Sequence, residues 1–424
     1  MRTTQISPPM ATTRRSLIPA GLALTGTATM FTSLYLAAGA LTPLLVVYRE
    51  QWGFPAVLLT VAFAAYAVGF LAAVLIFGSL SDFIGRRPVL IASLIIQLAS
   101  NFLFLAAPDV GWVIVGRIVQ GVASGVGTAA FTAALVEYAA PQRKRLATIL
   151  GSVGVTGGLA LGSLLAGLAI QISPAANSII FGVLIVLTIL GTILAALSPE
   201  TISRSPGALR ALIPRIAVPA AARREFIAAA PVVAAVWMLA GLSGGLAPSM
   251  VRTVFHLDSG LLNGLTGFVA PAVSTVVGLA FVHVASRRAM SIGIYASIAG
   301  PIVIIGGVFA NSLTIMIVGQ AIAGVGFGAA FTASLQLLLP LAAANERAAV
   351  VSAVYVVSYA GFGIPIVIAG LLTDAIGIVP TVLWYSAAAA LLAAASLGGQ
   401  RLLGRSPRAA RELSRQVPTD HAAV

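Results

Sequence analysis

The sequence predicts an all-α membrane protein with about twelve transmembrane helices in two pseudo-symmetric six-helix halves. Three observations predict this fold class: a very apolar composition, a succession of apolar stretches of about 20 residues, and motifs of the first half that recur in the second. Of the 424 residues, 59% are hydrophobic and only 8% are charged, whereas a soluble domain carries about 25% charged residues. A water-soluble fold could not bury that much apolar surface.

The apolar stretches define the predicted spans, because an α-helix needs about 20 mainly apolar residues to cross a bilayer. Polar segments separate one stretch from the next. The predicted spans are 20–47, 56–78, 88–107, 111–138, 146–171, 176–198, 228–250, 260–284, 289–310, 312–339, 349–373 and 378–399. The predicted organisation is therefore a tail at 1–19, an N-terminal half at 20–198, a central loop at 199–227, a C-terminal half at 228–399 and a tail at 400–424.

The positions of the basic residues predict the orientation of the helices. Apart from three isolated arginines, Lys and Arg occupy the two tails and alternate gaps between spans. Because cytoplasmic loops retain positive charge, we expect both termini and the central loop to face the cytoplasm, with the chain in a plasma membrane, the inner membrane of a bacterium. The net charge of +13 lies in these loops, so no nucleic-acid partner is predicted.

One pattern occurs twice, about 200 residues apart. Residues 115–117, Val-Gly-Arg, correspond to residues 318–320, Val-Gly-Gln, and both copies continue into Ala-Ala-Phe-Thr-Ala at 129–133 and 329–333. Chance similarity between Ala- and Gly-rich helices is the alternative, but the matching order along several helices favours a duplicated six-helix unit. Paired halves with a site at their interface are typical of secondary transporters that work by alternating access.

The loop between the second and third spans carries the most specific motif. Residues 78–88 read Gly-Ser-Leu-Ser-Asp-Phe-Ile-Gly-Arg-Arg-Pro and resemble the loop signature of the major facilitator superfamily. The matching positions are Gly78, Leu80, Asp82, Gly85, Arg86 and Arg87. A simple positive-inside turn would explain the two arginines but not an aspartate at this spacing.

This resemblance implies the major facilitator fold and a gating role for the loop. Asp82 is expected to face the N-terminus of the eleventh helix, where unsatisfied amides favour a carboxylate, and so to latch the two halves together. Glu137, near the cytoplasmic end of the fourth helix, is expected to pair with Arg86 or Arg87. These residues, with Gly78 and Gly85, form the predicted gating site.

The fourth span contains a second motif, in which Arg117, Gln120, Gly121 and Gly125 resemble the family's Arg-x-x-Gln-Gly pattern. Arg117 is the one basic residue inside a predicted span, and burying an arginine there costs about 2.5–3.5 kcal/mol on insertion scales. Two interpretations remain open. Arg117 either faces a cavity and contacts solute or influences a proton site, or it is a structural residue bonded to carbonyls of a neighbouring helix.

The fifth span carries Gly154, Gly158 and Gly162, which share one helix face and allow close helix packing. The pattern resembles the antiporter signature of exporters in this superfamily, although Leu159 and Ser163 replace its proline and final glycine. An exporter is therefore favoured, and generic helix packing is the alternative.

The acidic residues further limit the mechanism, because none is predicted at mid-membrane. All eleven lie in loops, tails or helix ends: Glu50, Asp82, Asp109, Glu137, Glu200, Glu225, Asp258, Glu346, Asp374, Glu412 and Asp420. Exchange of a proton for a cationic drug usually requires an embedded acid, so neutral or anionic solutes are favoured. The candidate cavity residues are Arg117, Gln120, Gln320, Asn263, Tyr66, Tyr355 and Tyr359; hydrogen bonding between helices is the alternative role for most of them.

Other chemistries find little support in the sequence. The chain has no cysteine, and its three histidines show no metal-ligand spacing, so neither a metal nor another cofactor is predicted. The favoured function is a monomeric exporter of small solutes that uses the proton as coupling ion in the lipid bilayer. An uptake symporter or facilitator is the alternative transporter, and a solute sensor or a membrane-embedded enzyme is the alternative of another class.

Overall fold

The computed structural model describes residues 18–404 and shows a bundle of twelve long helices, as the hydropathy predicts. Of the predicted tails, only residues 18–19 and 400–404 fall within the described range. The helices are α1 (Ala20–Trp52), α2 (Ala56–Phe77), α3 (Arg86–Leu105), α4 (Val110–Tyr138), α5 (Lys144–Ile172), α6 (Ala176–Leu197), α7 (Ala220–Thr253), α8 (Gly260–Ala280), α9 (Ser286–Phe309), α10 (Leu313–Leu338), α11 (Arg347–Ile376) and α12 (Ile378–Gly404).

Several helices extend beyond the spans that hydropathy alone predicts. Helix α7 begins at Ala220 rather than at residue 228, so the central loop is shorter than predicted and contains one helical turn at Ala208–Ala211. Hydropathy places the start of the span after the charged residues Arg223, Arg224 and Glu225. Arginine and glutamate are nevertheless good helix formers. The helix therefore continues past the apolar stretch. A π-helical turn at Leu242–Leu246 interrupts α7 near its other end.

Both ends of the described chain lie on one side of the bundle, because the number of spans is even. We call this side, which also carries the central loop, the terminal side, and the opposite side the far side. Arg49 and Arg252 lie at far-side helix ends and Arg117 is buried. Every other basic residue of the described range lies on the terminal side, as the charge pattern predicts.

Packing confirms the two six-helix halves. In the N-terminal half α1 packs on α5, α2 on α4 and α3 on both α4 and α6. The helices six positions later repeat these pairs: α7 packs on α11, α8 on α10 and α9 on both α10 and α12. The halves meet along two seams, one between α2 and α11 and the other between α5 and α8.

Glycines set the close approach of helices within each half. An added Cβ at Gly125 of α4 would lie 2.6 Å from the Phe70 carbonyl oxygen of α2. An added Cβ at Gly121 would also contact the backbone of α2. Gly154, Gly158 and Gly162 of α5 all face α1. The glycine face that resembles an antiporter signature therefore packs inside the N-terminal half rather than against the other half.

Substituting Gly158 tests this packing. Its added Cβ would lie 2.7 Å from the Thr32 carbonyl oxygen and 2.9 Å from Tyr35 Cβ, so Gly158→Ala must push α1 away from α5. We expect a lower melting temperature in detergent, since overpacking of this kind costs about 1–3 kcal/mol. Gly182→Ala is the matched control, because its Cβ would meet no atom within 4 Å. Equal melting temperatures for the two variants would contradict the close packing.

Candidate functional site

The terminal side carries a network of ionic contacts centred on Arg86. Its guanidinium donates to Ser81 Oγ at 2.7 Å, to Asp82 Oδ1 at 2.5 Å and to Glu137 Oε1 at 3.0 Å. The pairing predicted for Glu137 is thus present, with Arg86 as the partner. The network joins the loop after α2, the start of α3 and the end of α4.

Glu200 completes this network and escaped the sequence analysis as a site residue. Its carboxylate accepts from the backbone amides of Arg86 at 2.8 Å and Arg87 at 3.1 Å, the first residues of α3. Helix N-termini leave such amides unsatisfied and favour an anion there. Gly85 makes the approach possible, because its φ is +102° and an added Cβ would lie 2.7 Å from the Glu200 carboxyl carbon.

The contact predicted between Asp82 and α11 is absent from the described residues of this structure. Among residues 18–404, the side-chain partner of Asp82 is Arg86, and no hydrogen bond joins Asp82 to α11. Gly78 closes α2 by donating its amide to the Val74 carbonyl at 3.0 Å. The gating role of these residues stays a prediction.

Arg117 is buried, 3% exposed, and its guanidinium is held by three backbone carbonyls on two helices and by one side chain. It donates to the carbonyl oxygens of Ala62 at 3.3 Å, Phe63 at 3.2 Å and Ala38 at 3.4 Å. It also donates to Gln120 Oε1 at 2.8 Å. These contacts favour the structural interpretation of Arg117, since its donors are directed at the carbonyls of α1 and α2.

Arg117 nevertheless borders the interface between the halves. Its guanidinium carbon lies 4.8 Å from the centroid of the Tyr66 ring. Tyr66 leads into an aromatic cluster that we define as Phe63, Tyr66, Phe70, Trp237, Tyr355, Tyr359 and Phe362. The first three belong to α2, and the others belong to α7 and α11, so the cluster crosses one of the two seams.

Ring contacts connect the cluster from one half to the other. Phe70 stacks on Tyr359 with centroids 4.6 Å apart, and Tyr359 lies 4.7 Å from Trp237. The ring centroids of Phe63 and Phe362 are 5.1 Å apart. Aromatic pairs at these separations attract each other beyond the burial of their area. The cluster is therefore a continuous aromatic contact across the α2–α11 seam.

Two polar atoms beside this cluster lack a hydrogen-bond partner among the described residues, Gln120 Nε2 and Trp237 Nε1. The hydroxyls of Tyr66 and Ser124 are close enough to bond each other. A buried polar group left in this state costs about 1–3 kcal/mol. Each of these atoms can donate a hydrogen bond, and no carboxylate of the described range lies among them.

The structure brings together only part of the predicted cavity set. Tyr66, Tyr355, Tyr359 and Gln120 lie at the cluster or beside it. Gln320 and Asn263 lie elsewhere, on α10 and at the far-side end of α8, both buried. Trp237 was missed, because a single tryptophan in an apolar span carries no motif.

The far side is closed by polar contacts between the halves. Both Asp374 carboxylate oxygens accept from first-turn amides of α2, Ala56 at 2.8 Å and Val57 at 2.9 Å. Glu50 at the end of α1 pairs with Arg252 at the end of α7. On the other seam, Ser163 Oγ donates to the Gly264 carbonyl at 2.9 Å and Gln171 Oε1 accepts from Ser259 Oγ at 3.0 Å.

Two pseudo-symmetric six-helix bundles with a buried site on a seam define a membrane transporter of small solutes, not an enzyme. The sequence profile described as Major Facilitator Superfamily matches residues 25–305. The chain belongs to this superfamily.

Solved transporters share this fold at low sequence identity. The human organic anion transporter MFSD10 is 15% identical, with a TM-score of 0.63 over 89% of this chain and 100% of that one. A bacterial homolog of the human lysosomal transporter Spinster is 16% identical, with a TM-score of 0.67 over 92% of this chain and 99% of that one. A POT family transporter in complex with 5-aminolevulinic acid is 12% identical, with a TM-score of 0.72 over 91% of this chain and 97% of that one.

One curated relative resembles part of the chain. The class G tetracycline resistance protein of Vibrio anguillarum is 36% identical over 96 residues, which are 22% of this chain. The match spans 24% of that protein's length.

The Arg117 contacts generate a stability prediction. Arg117→Ala removes four hydrogen bonds and leaves Gln120 Oε1 unpartnered, so we expect a clear fall in melting temperature, since one buried orphan group alone costs about 1–3 kcal/mol. The melting temperature of Arg117→Lys should lie between those of the unsubstituted protein and Arg117→Ala, because lysine keeps the charge but lacks the planar fork. Arg143→Ala, an exposed arginine on the terminal side, is the control. An unchanged melting temperature in Arg117→Ala would contradict the structural role.

Proposed function

We propose that the chain exports small neutral or anionic solutes across the plasma membrane by alternating access, as a monomer, with the proton as coupling ion. Two features together carry this proposal. Polar contacts hold the far side closed, and the α2–α11 seam contains a buried site whose polar atoms are not all hydrogen-bonded. Breaking those few contacts while the halves rock would open the site to the far side.

The basic residues support a cytoplasmic position for the terminal side. Arg86, Arg87 and the basic cluster 143–145 lie there, whereas the far-side ends hold only Arg49 and Arg252 among the described basic residues. Since cytoplasmic loops retain positive charge, the far side is then the outside of the cell. Both termini are cytoplasmic in this orientation.

Two features favour export over uptake. The glycine face of α5 resembles the antiporter signature, and it packs tightly against α1 at Gly158. The partial relative is a resistance protein by its name. Both features support the proposed direction of transport.

In the proposed mechanism, carboxylates near the helix ends carry the coupling proton. Within residues 18–404 the acidic side chains lie at helix ends or in loops, and Glu225, 5% exposed and paired with Arg287, is the most deeply buried of them. Asp374 lies on the interface between the halves at the far side, and the carboxylates of the Arg86 network lie at the terminal side of the N-terminal half. Neutral or anionic solutes suit a membrane core that holds Arg117 without an acid.

Inside-out membrane vesicles test the proposed direction and coupling. With the vesicle interior made acidic, we expect a radiolabelled solute from a panel of neutral and anionic compounds to accumulate inside, because the interior corresponds to the outside of the cell. A protonophore should abolish the accumulation. Vesicles without the protein serve as the control. Accumulation only in right-side-out vesicles would instead identify an uptake symporter, and binding without flux in either orientation would identify a sensor.

Cross-linking the far side tests alternating access. The chain has no cysteine, so Glu50→Cys with Arg252→Cys supplies the single reactive pair, at positions joined by an ion pair in the structure. Both side chains are about 41% exposed and exposed pairs contribute little, and the Asp374 contacts with α2 still close the far side, so the unlinked double variant should retain transport. A short thiol-reactive linker should stop transport. Each single-cysteine variant treated with the same reagent is the control, and full flux in the linked protein would contradict the mechanism.

A further inference from the structure

The aromatic cluster presents flat surfaces from both halves at one place. Phe70 of α2 stacks on Tyr359 of α11 with an interplanar angle of 21°, and Tyr359 contacts Trp237 of α7 at 4.7 Å. These rings contact one another directly, so a solute reaches them only when the halves separate along this seam. A planar ring inserted there replaces ring contacts of the protein with contacts of the same kind.

The polar atoms around the cluster share one chemical property. Trp237 Nε1 and Gln120 Nε2 are donors only, and the hydroxyls of Tyr66 and Ser124 can donate as well. Trp237 Nε1 and Gln120 Nε2 have no partner within residues 18–404, and the hydroxyls of Tyr66 and Ser124 have each other. A solute with carbonyl, enolate or carboxylate oxygens would supply the acceptors that the protein lacks here. A solute that brings only donors would leave Trp237 and Gln120 unsatisfied.

The charge at the cluster has one sign. Arg117 lies 4.8 Å from the Tyr66 ring, and the carboxylates of the described range lie at helix ends or in loops. An organic cation would therefore meet a like charge in a medium of low dielectric constant without an acid to offset it. An anion or a polarised carbonyl is attracted instead.

Resting on the proposed transport function, we infer that this cluster binds planar aromatic solutes that carry hydrogen-bond acceptors and are neutral or anionic, and that it rejects planar organic cations. Trp237 and Tyr66 supply both ring contacts and donors from opposite halves. Binding therefore bridges α2 and α7 across the seam that alternating access must open and close.

Three solutes with the same ring system test the charge preference. We propose isothermal titration calorimetry of the full-length protein in detergent with 2-naphthoate, 2-acetylnaphthalene and 2-naphthylmethylammonium at neutral pH. The anion and the neutral ketone should bind at least about tenfold more tightly than the ammonium compound, corresponding to at least about 1.4 kcal/mol. Equal or tighter binding of the cation, or no binding of any of the three, would overturn the inference.

Removing one N–H separates a binding role from a structural one. Trp237→Phe keeps an aromatic ring but deletes Nε1, which has no partner in the described structure. The affinity for 2-acetylnaphthalene should fall about fivefold to tenfold, the usual effect of one hydrogen bond, while the affinity for 2-naphthylmethylammonium, which offers no acceptor, stays level. Trp384→Phe, at an exposed position on α12, is the matched control and should change neither. Unchanged affinity in Trp237→Phe, or a fall in both variants alike, would overturn the assignment of this donor.

The same solutes distinguish failure of this inference from failure of the proposed function. If 2-naphthoate binds with the expected preference but does not cross vesicle membranes, the transport proposal fails and the binding inference stands. If vesicles transport other solutes while the naphthalene series does not bind, transport stands and the inference falls.

Discussion

The buried charge of Arg117 constrains the arrangement of the N-terminal half. A guanidinium can remain in the membrane core only when its donors are satisfied, because no water is available there. Arg117 meets this condition through carbonyls of Ala38 on α1 and of Ala62 and Phe63 on α2. One side chain thereby fixes three helices relative to one another. It also holds Gln120 Oε1 at 2.8 Å, which leaves the Gln120 amide nitrogen without a partner in the described structure.

The two seams between the halves are built differently from each other. On the α5–α8 seam small residues predominate, and an added Cβ at Gly167 would lie 2.6 Å from Gly264 Cα. On the α2–α11 seam, aromatic rings meet near the centre and Asp374 caps α2 at the far side. Few hydrogen bonds hold either seam, so relative motion breaks few of them. The most extensive helix pairs, α9–α10, α1–α5 and α2–α4, lie inside the halves.

Sequence reasoning recovered the parts of the molecule that simple rules govern. Twelve spans follow from the length of apolar stretches, and the Arg86–Glu137 pair follows from the family motif. The loop boundary at 228 was wrong because hydropathy does not register that a helix can continue beyond the apolar stretch as far as Ala220. Contacts between distant segments that no motif specifies were also out of reach.

Glu200 and Asp374 illustrate this limit. Each is an isolated acidic residue near a helix end, and only the folded chain shows that each caps a helix distant in sequence, α3 and α2 respectively. Trp237 is a similar case, because its importance comes from Tyr359 and Phe70 on other helices. For Arg117 the sequence left two roles open, and the carbonyls that favour one of them belong to helices whose packing no motif specifies.

The unpartnered donors at the aromatic cluster bear on how the two halves can cycle. A transporter must pass between states of similar free energy, since a very stable closed state without solute would stop the cycle. The ring contacts between Phe70 and Tyr359 stabilise the closed seam. Unsatisfied donors such as Trp237 Nε1 oppose that stabilisation, because each buried group without a partner costs free energy. The same atoms that would recognise a solute therefore also keep the empty closed state from becoming too stable to open.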